Sequence, residues 1–149
     1  MPTRIPRVLI LGTDNSGRSQ MGEGILRQLA GDTIDVVSAG VRAGSPATGV
    51  HPLAVEAMRE AELDISLQRV KSVEQFRGQE FEAIVTVCDE ARDACPAFAG
   101  RAARVPYNIP DPAAAAGTPE ERLEAYRRAR DLLFTCLCEF FTVLAGPAE

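Results

Sequence analysis

Long apolar runs, an excess of basic residues and a supply of histidines are all missing from this chain of 149 residues. Its longest apolar run falls well short of the roughly 18 residues that a membrane-spanning helix needs, which excludes a membrane protein. The formal net charge of −5 argues against a non-specific nucleic-acid binder, which normally carries a basic patch. We therefore expect a small-molecule partner, with no nucleic acid and no membrane.

Only one histidine and four cysteines are available as nitrogen and sulfur ligands for a metal. His51 lies apart from the cysteines, whose spacing differs from the paired motifs of zinc sites, so we predict no metal site. His51 is instead predicted as a polar residue at the start of a helix. The N-terminal apolar stretch is too short for the core of a signal peptide, so the cysteines indicate a reducing compartment and we expect a cytoplasmic protein.

Alternating strand-like and helical segments predict a single α/β domain over residues 1–149. Short apolar runs predict strands, and apolar residues three or four positions apart predict helices. Strands that alternate with helices favour a parallel sheet covered on both faces, which is a three-layer fold. The predicted strands are Arg7–Gly12, Asp35–Gly40, Glu82–Cys88 and Ala103–Asn108, and the predicted helices are Gln20–Ala30, Leu53–Leu63 and a long one from about Thr118.

The residues at the start of the last predicted helix are typical of a helix N-terminus. Thr118 and Glu121 have the spacing of a capping box, and Pro119 suits the first helical position. Cys136 and Cys138 lie two residues apart on this helix, so they face different directions and are predicted as packing residues rather than a pair. The predicted buried face consists of Leu123, Tyr126, Leu133, Leu137, Phe140, Phe141 and Leu144.

The loop after the first strand contains residues suited to holding an anion. Asn15, Ser16 and Gly17 tolerate tight and left-handed turns that point backbone N–H groups inward. The following helix adds its positive end, and Arg18 adds a planar fork for two oxygens of phosphate or arsenate. An ordinary strand-to-helix turn with a solvated arginine explains the spacing about equally well. The full candidate loop is Gly12, Thr13, Asp14, Asn15, Ser16, Gly17, Arg18 and Ser19.

Four segments follow the carboxyl ends of the predicted strands, where parallel sheets bind their ligands. Besides the loop they contain Cys88, Cys95 and Asp111. From the residues alone, the two cysteines are either a redox pair or a buried strand end and a loop thiol that never meet. Asp111 beside a proline is typical of a turn in which the carboxylate caps local backbone. The segments are 12–19, 40–50, 88–95 and 108–117.

The stretch "LGTDNSGRSQMGEG", followed in order by "VSAG", "HPLAVEAMREAELDIS", "TVCDEARDACP" and "PDP", covers most of the chain. Together these motifs resemble the low-molecular-weight protein tyrosine phosphatases and the thioredoxin-coupled arsenate reductases. The resemblance implies a four-stranded parallel sheet and an oxyanion, which is phosphate, sulfate or arsenate, bound in the loop without a cofactor. The cysteine pair after the third strand points towards the reductase branch.

The resemblance also implies roles for individual residues. Arg18 would bind the oxyanion, Asp111 would be the general acid, and Cys88 and Cys95 would form a disulfide that thioredoxin or another thiol reductant reduces. In the resembling enzymes the first loop residue is a cysteine whose thiolate attacks the oxyanion. That position is Gly12 here, so we expect no covalent catalysis from this loop.

Two further features of the loop leave alternatives open. Asp14 also departs from the pattern, and a carboxylate about 6 Å from an oxyanion opposes its binding by roughly 3 kcal/mol unless it points away or pairs with Arg18. Asn15, Glu23 and Ser38 match positions that hold a potassium ion in some of the resembling reductases, and the ammonium of Lys71 is the alternative occupant.

The sequence therefore leaves two hypotheses for function. The first is an arsenate-reductase-like enzyme that still reduces arsenate through Cys88 and Cys95, including direct attack by Cys88 on arsenate in the loop. The second is a pseudophosphatase, an oxyanion-binding or redox-sensing module without turnover.

Overall fold

A computed structural model describes residues 5–145, and in it four parallel strands form one sheet. The remaining residues of the predicted 1–149 domain lie outside the described part. The strands are β1 (Arg7–Gly12), β2 (Asp35–Gly40), β3 (Ala83–Thr86) and β4 (Ala103–Pro106), in the order β2-β1-β3-β4. The α/β class and the four-stranded parallel sheet predicted from the sequence are confirmed.

Helices cover both faces of the sheet, and the alternation of side chains along β1 explains why. Val8 and Ile10 point into a core shared with α1 (Arg18–Ala30), α2 (Pro52–Glu60) and α4 (Pro119–Ala145). Leu9 and Leu11 point into a second core on the opposite face. All four β1 residues are fully buried, as expected for the central strand of a parallel sheet.

The strand order places a crevice at the carboxyl end of β1. The chain runs from β1 to β2 on one side and then returns to β3 on the other side, where Leu11 is in register with Thr86. Such a reversal leaves room between the loops that follow the two strands. The loop from Gly12 and the segment from Cys88 therefore face the same crevice.

Several strands and helices do not end at the predicted residues, and the reasons are local. Strand β4 ends at Pro106, but backbone N–H groups of Tyr107 and Ile109 still bond to the carbonyl groups of Thr86 and Val87. Helix α2 ends at Glu60 because Glu62 adopts a left-handed φ of 64°. A short helix, α3 (Asp89–Asp93), lies between the two cysteines, where the sequence patterns predict no helix.

The long helix α4 begins as predicted. The backbone N–H of Glu121 donates to Thr118 Oγ1 at 3.1 Å, and the N–H of Thr118 donates to Glu121 Oε1 at 3.1 Å, so the capping box is formed. Cys136 is half-buried against the core, but Cys138 is exposed, so its predicted packing role is wrong. No helix within residues 5–145 is both long and apolar enough to span a membrane.

Gly40, at the end of β2, lies directly under the loop that follows β1. A Cβ atom at this position would lie 2.6 Å from the carbonyl oxygen of Thr13 and 2.9 Å from the backbone nitrogen of Asn15. We expect Gly40→Ala to lower the free energy of unfolding by about 1–3 kcal/mol because backbone must move to admit the methyl group. Urea unfolding followed by circular dichroism measures this. Gly44→Ala is the matched control, since nothing lies within 4 Å of its Cβ position, and an equal loss in both variants would contradict the close contact.

Candidate functional site

The side chain of Asn15 holds the loop between β1 and α1. Asn15 is 1% exposed and has a left-handed φ of 59°, which confirms the left-handed turn predicted here. Its Nδ2 donates to Ser19 Oγ at 2.9 Å and to Ser38 Oγ at 3.0 Å. Its Oδ1 accepts from Gln20 Nε2 at 2.9 Å and from the backbone N–H of Lys71 at 2.8 Å. Every hydrogen-bonding position of the amide is used, so the loop has one well-defined shape.

The N-terminus of α1 points at the crevice without a side-chain cap. Gly17 occupies the N-cap position and makes no side-chain hydrogen bond to the first turn. The first backbone N–H groups of a helix lack intrahelical partners and carry partial positive charge. The sequence predicts that an anion binds at these groups.

Arg18, the first residue of α1, links the loop to the segment after β4. Its side chain is 12% exposed, and NH1 donates to the backbone carbonyl of Ile109 at 2.7 Å. NH2 lies 3.9 Å from Asp111 Oδ1. The carboxylate of Asp111 also accepts the N–H of Ala113 at 2.9 Å, which is the predicted turn-capping interaction. Asp111 thus caps a turn and also borders the crevice.

These groups surround a cavity of about 290 Å³, which we call the loop cleft. It contains three carboxylates and one half-buried arginine, so its charge alone does not favour an anion. The carboxylate of Asp14 accepts the backbone N–H of Ser16 at 3.1 Å, which occupies one of the donors that the loop would offer to an anion. The loop cleft is lined by Thr13, Asp14, Ser16, Gly17, Arg18, Cys88, Glu90, Asp111, Pro112, Ala113 and Tyr126.

Gly12 is buried at the base of the loop and brings no chemical group to the loop cleft. A Cβ atom at Gly12 would lie 2.9 Å from Ser19 Oγ and 3.0 Å from Ser19 Cβ. A side chain here therefore requires a small displacement of Ser19, whose hydroxyl is held by Asn15.

The two predicted redox cysteines border different cavities. Cys88 Sγ lies 3.2 Å from Thr13 Oγ1 and faces the loop cleft. Cys95 Sγ lies 2.6 Å from Arg104 NH1 and borders a second cavity between β3 and β4. Burial raises the pKa of the Cys95 thiol, and the positive charge of Arg104 opposes that rise. Both thiols are free, and α3 separates them.

Behind the loop, the carboxylate of Glu23 is only 5% exposed and has three partners. Ser38 Oγ donates to it at 2.6 Å, and Arg27 NH2 lies at 2.9 Å. The ammonium of Lys71 lies 3.4 Å from Glu23 Oε1 and donates to the carbonyl of Arg69 at 2.7 Å. Of the two occupants considered from the sequence, the structure places the ammonium here.

His51 contacts Tyr126, a contact that the sequence patterns do not reveal. His51 caps α2, where its Nδ1 accepts the N–H of Leu53 at 3.1 Å, so the predicted helix-start role is confirmed. Burial, with the charge of Arg122, lowers the pKa of His51, and Asp14 opposes the shift. The His51 ring stacks on Tyr126 at a centroid distance of 5.0 Å. Tyr126 is predicted only as a core residue, yet it also lines the loop cleft.

Comparison with known proteins places the chain among phosphatases and arsenate reductases. Residues 7–142 match the low molecular weight phosphotyrosine protein phosphatase family. An arsenate reductase of Halalkalibacterium halodurans is 44% identical over 83% of this chain and 86% of its own length. An arsenate reductase of Bacillus subtilis is 38% identical over 89% of this chain and 93% of its own length.

Solved structures of two proteins have the same fold. "An arsenate reductase in the phosphate binding state" superposes with a TM-score of 0.69 and 24% identity, covering 91% of this chain and 95% of that chain. A low molecular weight protein tyrosine phosphatase from T. tengcongensis superposes with a TM-score of 0.70 and 25% identity, covering 91% and 97%.

The position of Lys71, the only lysine in the chain, predicts how stability responds to salt. Lys71→Met leaves the buried Glu23 carboxylate with one cation fewer, so we expect a loss of about 1–3 kcal/mol of unfolding free energy. Because the Lys71 ammonium lies where a potassium ion was the alternative, the melting temperature of the wild type should be the same in KCl and NaCl of equal ionic strength. Arg77→Met, which breaks an exposed ion pair with Glu74, is the control and should change little. A wild type that melts higher in KCl would contradict this arrangement.

Proposed function

The chain belongs to the low molecular weight phosphotyrosine protein phosphatase family, and from this premise we propose that it binds arsenate or phosphate in the loop cleft and reduces arsenate with Cys88 and Cys95. The observation that carries the proposal is the 3.2 Å contact between Cys88 Sγ and Thr13 Oγ1, which puts a thiol on the wall of the loop cleft. The similarity to arsenate reductases of H. halodurans and B. subtilis supports arsenate as the substrate.

The backbone at the start of α1 and the side chain of Arg18 together supply the interactions that bind the oxyanion. The uncapped N-terminus of α1 offers N–H groups, and Arg18 is already oriented by Ile109. Its NH2 lies 3.9 Å from Asp111, beyond a close hydrogen bond, and can turn to an oxyanion oxygen. Asp14 must release the N–H of Ser16 or move aside, so we expect weak binding.

Because Gly12 has no thiol, Cys88 makes the first bond in the proposed reaction. Its thiolate forms an S–As bond while one As–O bond breaks, and that oxygen leaves as water after taking protons from Asp111 and solvent. The Cys95 thiolate then attacks Cys88 Sγ. An S–S bond forms, the S–As bond breaks, and its electron pair stays on arsenic, which leaves as arsenite. Two thiols are oxidised, arsenic is reduced from +5 to +3, and a dithiol such as thioredoxin reduces the disulfide.

The second step requires α3 to unwind. Helix α3 has five residues, a length that is marginal without tertiary support, and its residue Arg92 forms exposed ion pairs with Asp89 and Asp93. Such pairs contribute little to stability. Unwinding would free Cys95 from Arg104 and allow the two sulfur atoms to meet.

A second candidate function is an oxyanion-binding or redox-sensing module without turnover. The location of Cys95 in a separate cavity favours it, because the disulfide cannot form without a rearrangement of α3. The two functions differ in whether arsenite is produced.

A single-turnover assay tests the proposal. Fully reduced wild type, mixed with arsenate without other reductants, should release about one arsenite per chain, since two thiols supply the two electrons. Peptide mapping should then find Cys88 joined to Cys95. Cys88→Ser and Cys95→Ser should release none, whereas Cys138→Ser, whose thiol is exposed on α4, should match the wild type.

Calorimetric titration with arsenate on the same proteins separates binding from chemistry. Cys88→Ser should keep its affinity, Asp14→Gly should bind more tightly, and Arg18→Ala should lose binding because the charge-assisted contacts are gone. Binding without arsenite release would support the module without turnover. Equal binding by Arg18→Ala and wild type would place the anion outside the loop cleft and contradict the proposal.

Restoring a thiol at the first loop position tests whether the scaffold still supports phosphatase chemistry. Gly12→Cys should gain measurable hydrolysis of an aryl phosphate, since the helix terminus and loop N–H groups lower the pKa of a thiol there. Gly12→Ala is the matched control because it shares the displacement of Ser19 but has no sulfur. Both variants should lose about 1–3 kcal/mol of stability. Equal hydrolysis by wild type and Gly12→Cys would mean that another residue is the nucleophile.

A further inference from the structure

Tyr126 is almost fully buried, yet it belongs to the lining of the loop cleft. The residue is 2% exposed, and its ring is fixed by two neighbours. It stacks on His51 with an interplanar angle of 23°, and a Cβ atom built on Gly17 would lie 3.6 Å from its Cε1. The ring therefore lies against the loop, next to the N-terminus of α1.

The hydroxyl of Tyr126 makes no hydrogen bond with any residue between 5 and 145. In the same part of the chain, every side-chain oxygen or nitrogen that is sealed from solvent does have a hydrogen-bond partner. The Tyr126 hydroxyl is therefore not sealed, and the cavity that the residue lines is the loop cleft. A hydroxyl that opens to a cavity and has no partner among these residues is available to bond to a ligand oxygen there.

The surroundings of Tyr126 favour the protonated phenol, which is a hydrogen-bond donor. Burial, and then the carboxylates of Asp111 and Asp14, raise the pKa of Tyr126 to about 12, against the opposing charges of Arg122 and Arg18. The phenol therefore stays protonated at neutral pH. It presents an O–H group close to Arg18 and to the first turn of α1, the groups that would hold an anion.

We infer that the hydroxyl of Tyr126 donates a hydrogen bond to an oxygen of the tetrahedral oxyanion in the loop cleft. Helix α4 then contributes directly to ligand binding, through a neutral donor that adds to the positive charge of Arg18. The inference rests on the proposed function only in that an oxyanion must bind in the loop cleft. It does not depend on whether Cys88 reacts.

Tyr126→Phe removes the hydroxyl and keeps the ring that stacks on His51. We expect about tenfold weaker arsenate binding by calorimetry, because a hydrogen bond to a charged acceptor is lost. The melting temperature without arsenate should not fall, because the hydroxyl has no protein partner to lose. Tyr107→Phe is the matched control, since Tyr107 is the only other tyrosine and does not line the loop cleft, and it should bind arsenate like the wild type.

A spectroscopic readout distinguishes a direct contact from a packing effect. The chain has two tyrosines and no tryptophan, so tyrosine absorbance can be followed without interference. Arsenate should perturb the tyrosine difference spectrum of wild type and Tyr107→Phe but not that of Tyr126→Phe. Unchanged affinity in Tyr126→Phe, or a perturbation that survives in it, would overturn the inference and leave the proposed function intact. A wild type that binds no arsenate would overturn both.

Discussion

The buried amide of Asn15 is the constraint on which the candidate site depends. A left-handed backbone is uncommon for a residue other than glycine, and four hydrogen bonds hold Asn15 in that conformation. The network continues through Gln20, whose Nε2 donates to the carbonyl oxygens of Asn15 and Arg69, and through Gln68, which donates to Gln20. The loop is thus tied to the segment before Lys71 rather than to its own neighbours alone. The direction of its N–H groups is a property of the whole fold.

The loop cleft repels an anion less strongly than a count of its charged residues indicates. Each of its three carboxylates already has a positive or N–H partner. Asp14 accepts from Ser16, Asp111 accepts from Ala113, and Glu90 lies 3.3 Å from the guanidinium of Arg42. These partners offset part of the repulsion that an unpaired carboxylate would exert on an oxyanion. Arg18, at 12% exposure, is screened less by solvent than the carboxylate of Asp111, at 51%. Weak binding is the outcome that this balance favours.

The sequence predicts the local elements well and the contacts between distant segments poorly. The ends of β1 and β2 agree with the prediction because apolar runs there stop at glycines, and the start of α4 agrees because its capping box is local. Helix α3 is too short for a helical period to be visible.

The sequence patterns misassign residues whose neighbours in the fold come from distant parts of the chain. Helical spacing indicates that Tyr126 faces inward, but it cannot tell that a cavity, rather than only packed side chains, lies opposite its hydroxyl. In the same way, the spacing of Cys88 and Cys95 says nothing about the guanidinium of Arg104, which belongs to the neighbouring strand β4 and lies beside Cys95.

Sheet topology explains why a chain without a thiol at Gly12 still has one in the loop cleft. Strands β1 and β3 are in register, and the N–H of Val87 bonds to the carbonyl of Leu11, so Cys88, two residues after β3, is brought next to the loop that follows β1. The position of Cys88 is therefore fixed by the central sheet, where β3 is buried along its whole length. The position of Cys95, two residues after α3, depends on packing against the edge of the second core and on a contact to Arg104 in a strand at the sheet edge. In the proposed reaction, the step that depends on the sheet is attack on the oxyanion, and the step that depends on a short helix is release of arsenite. In that proposed reaction, the stability of α3 would determine whether bound arsenate is reduced or only held.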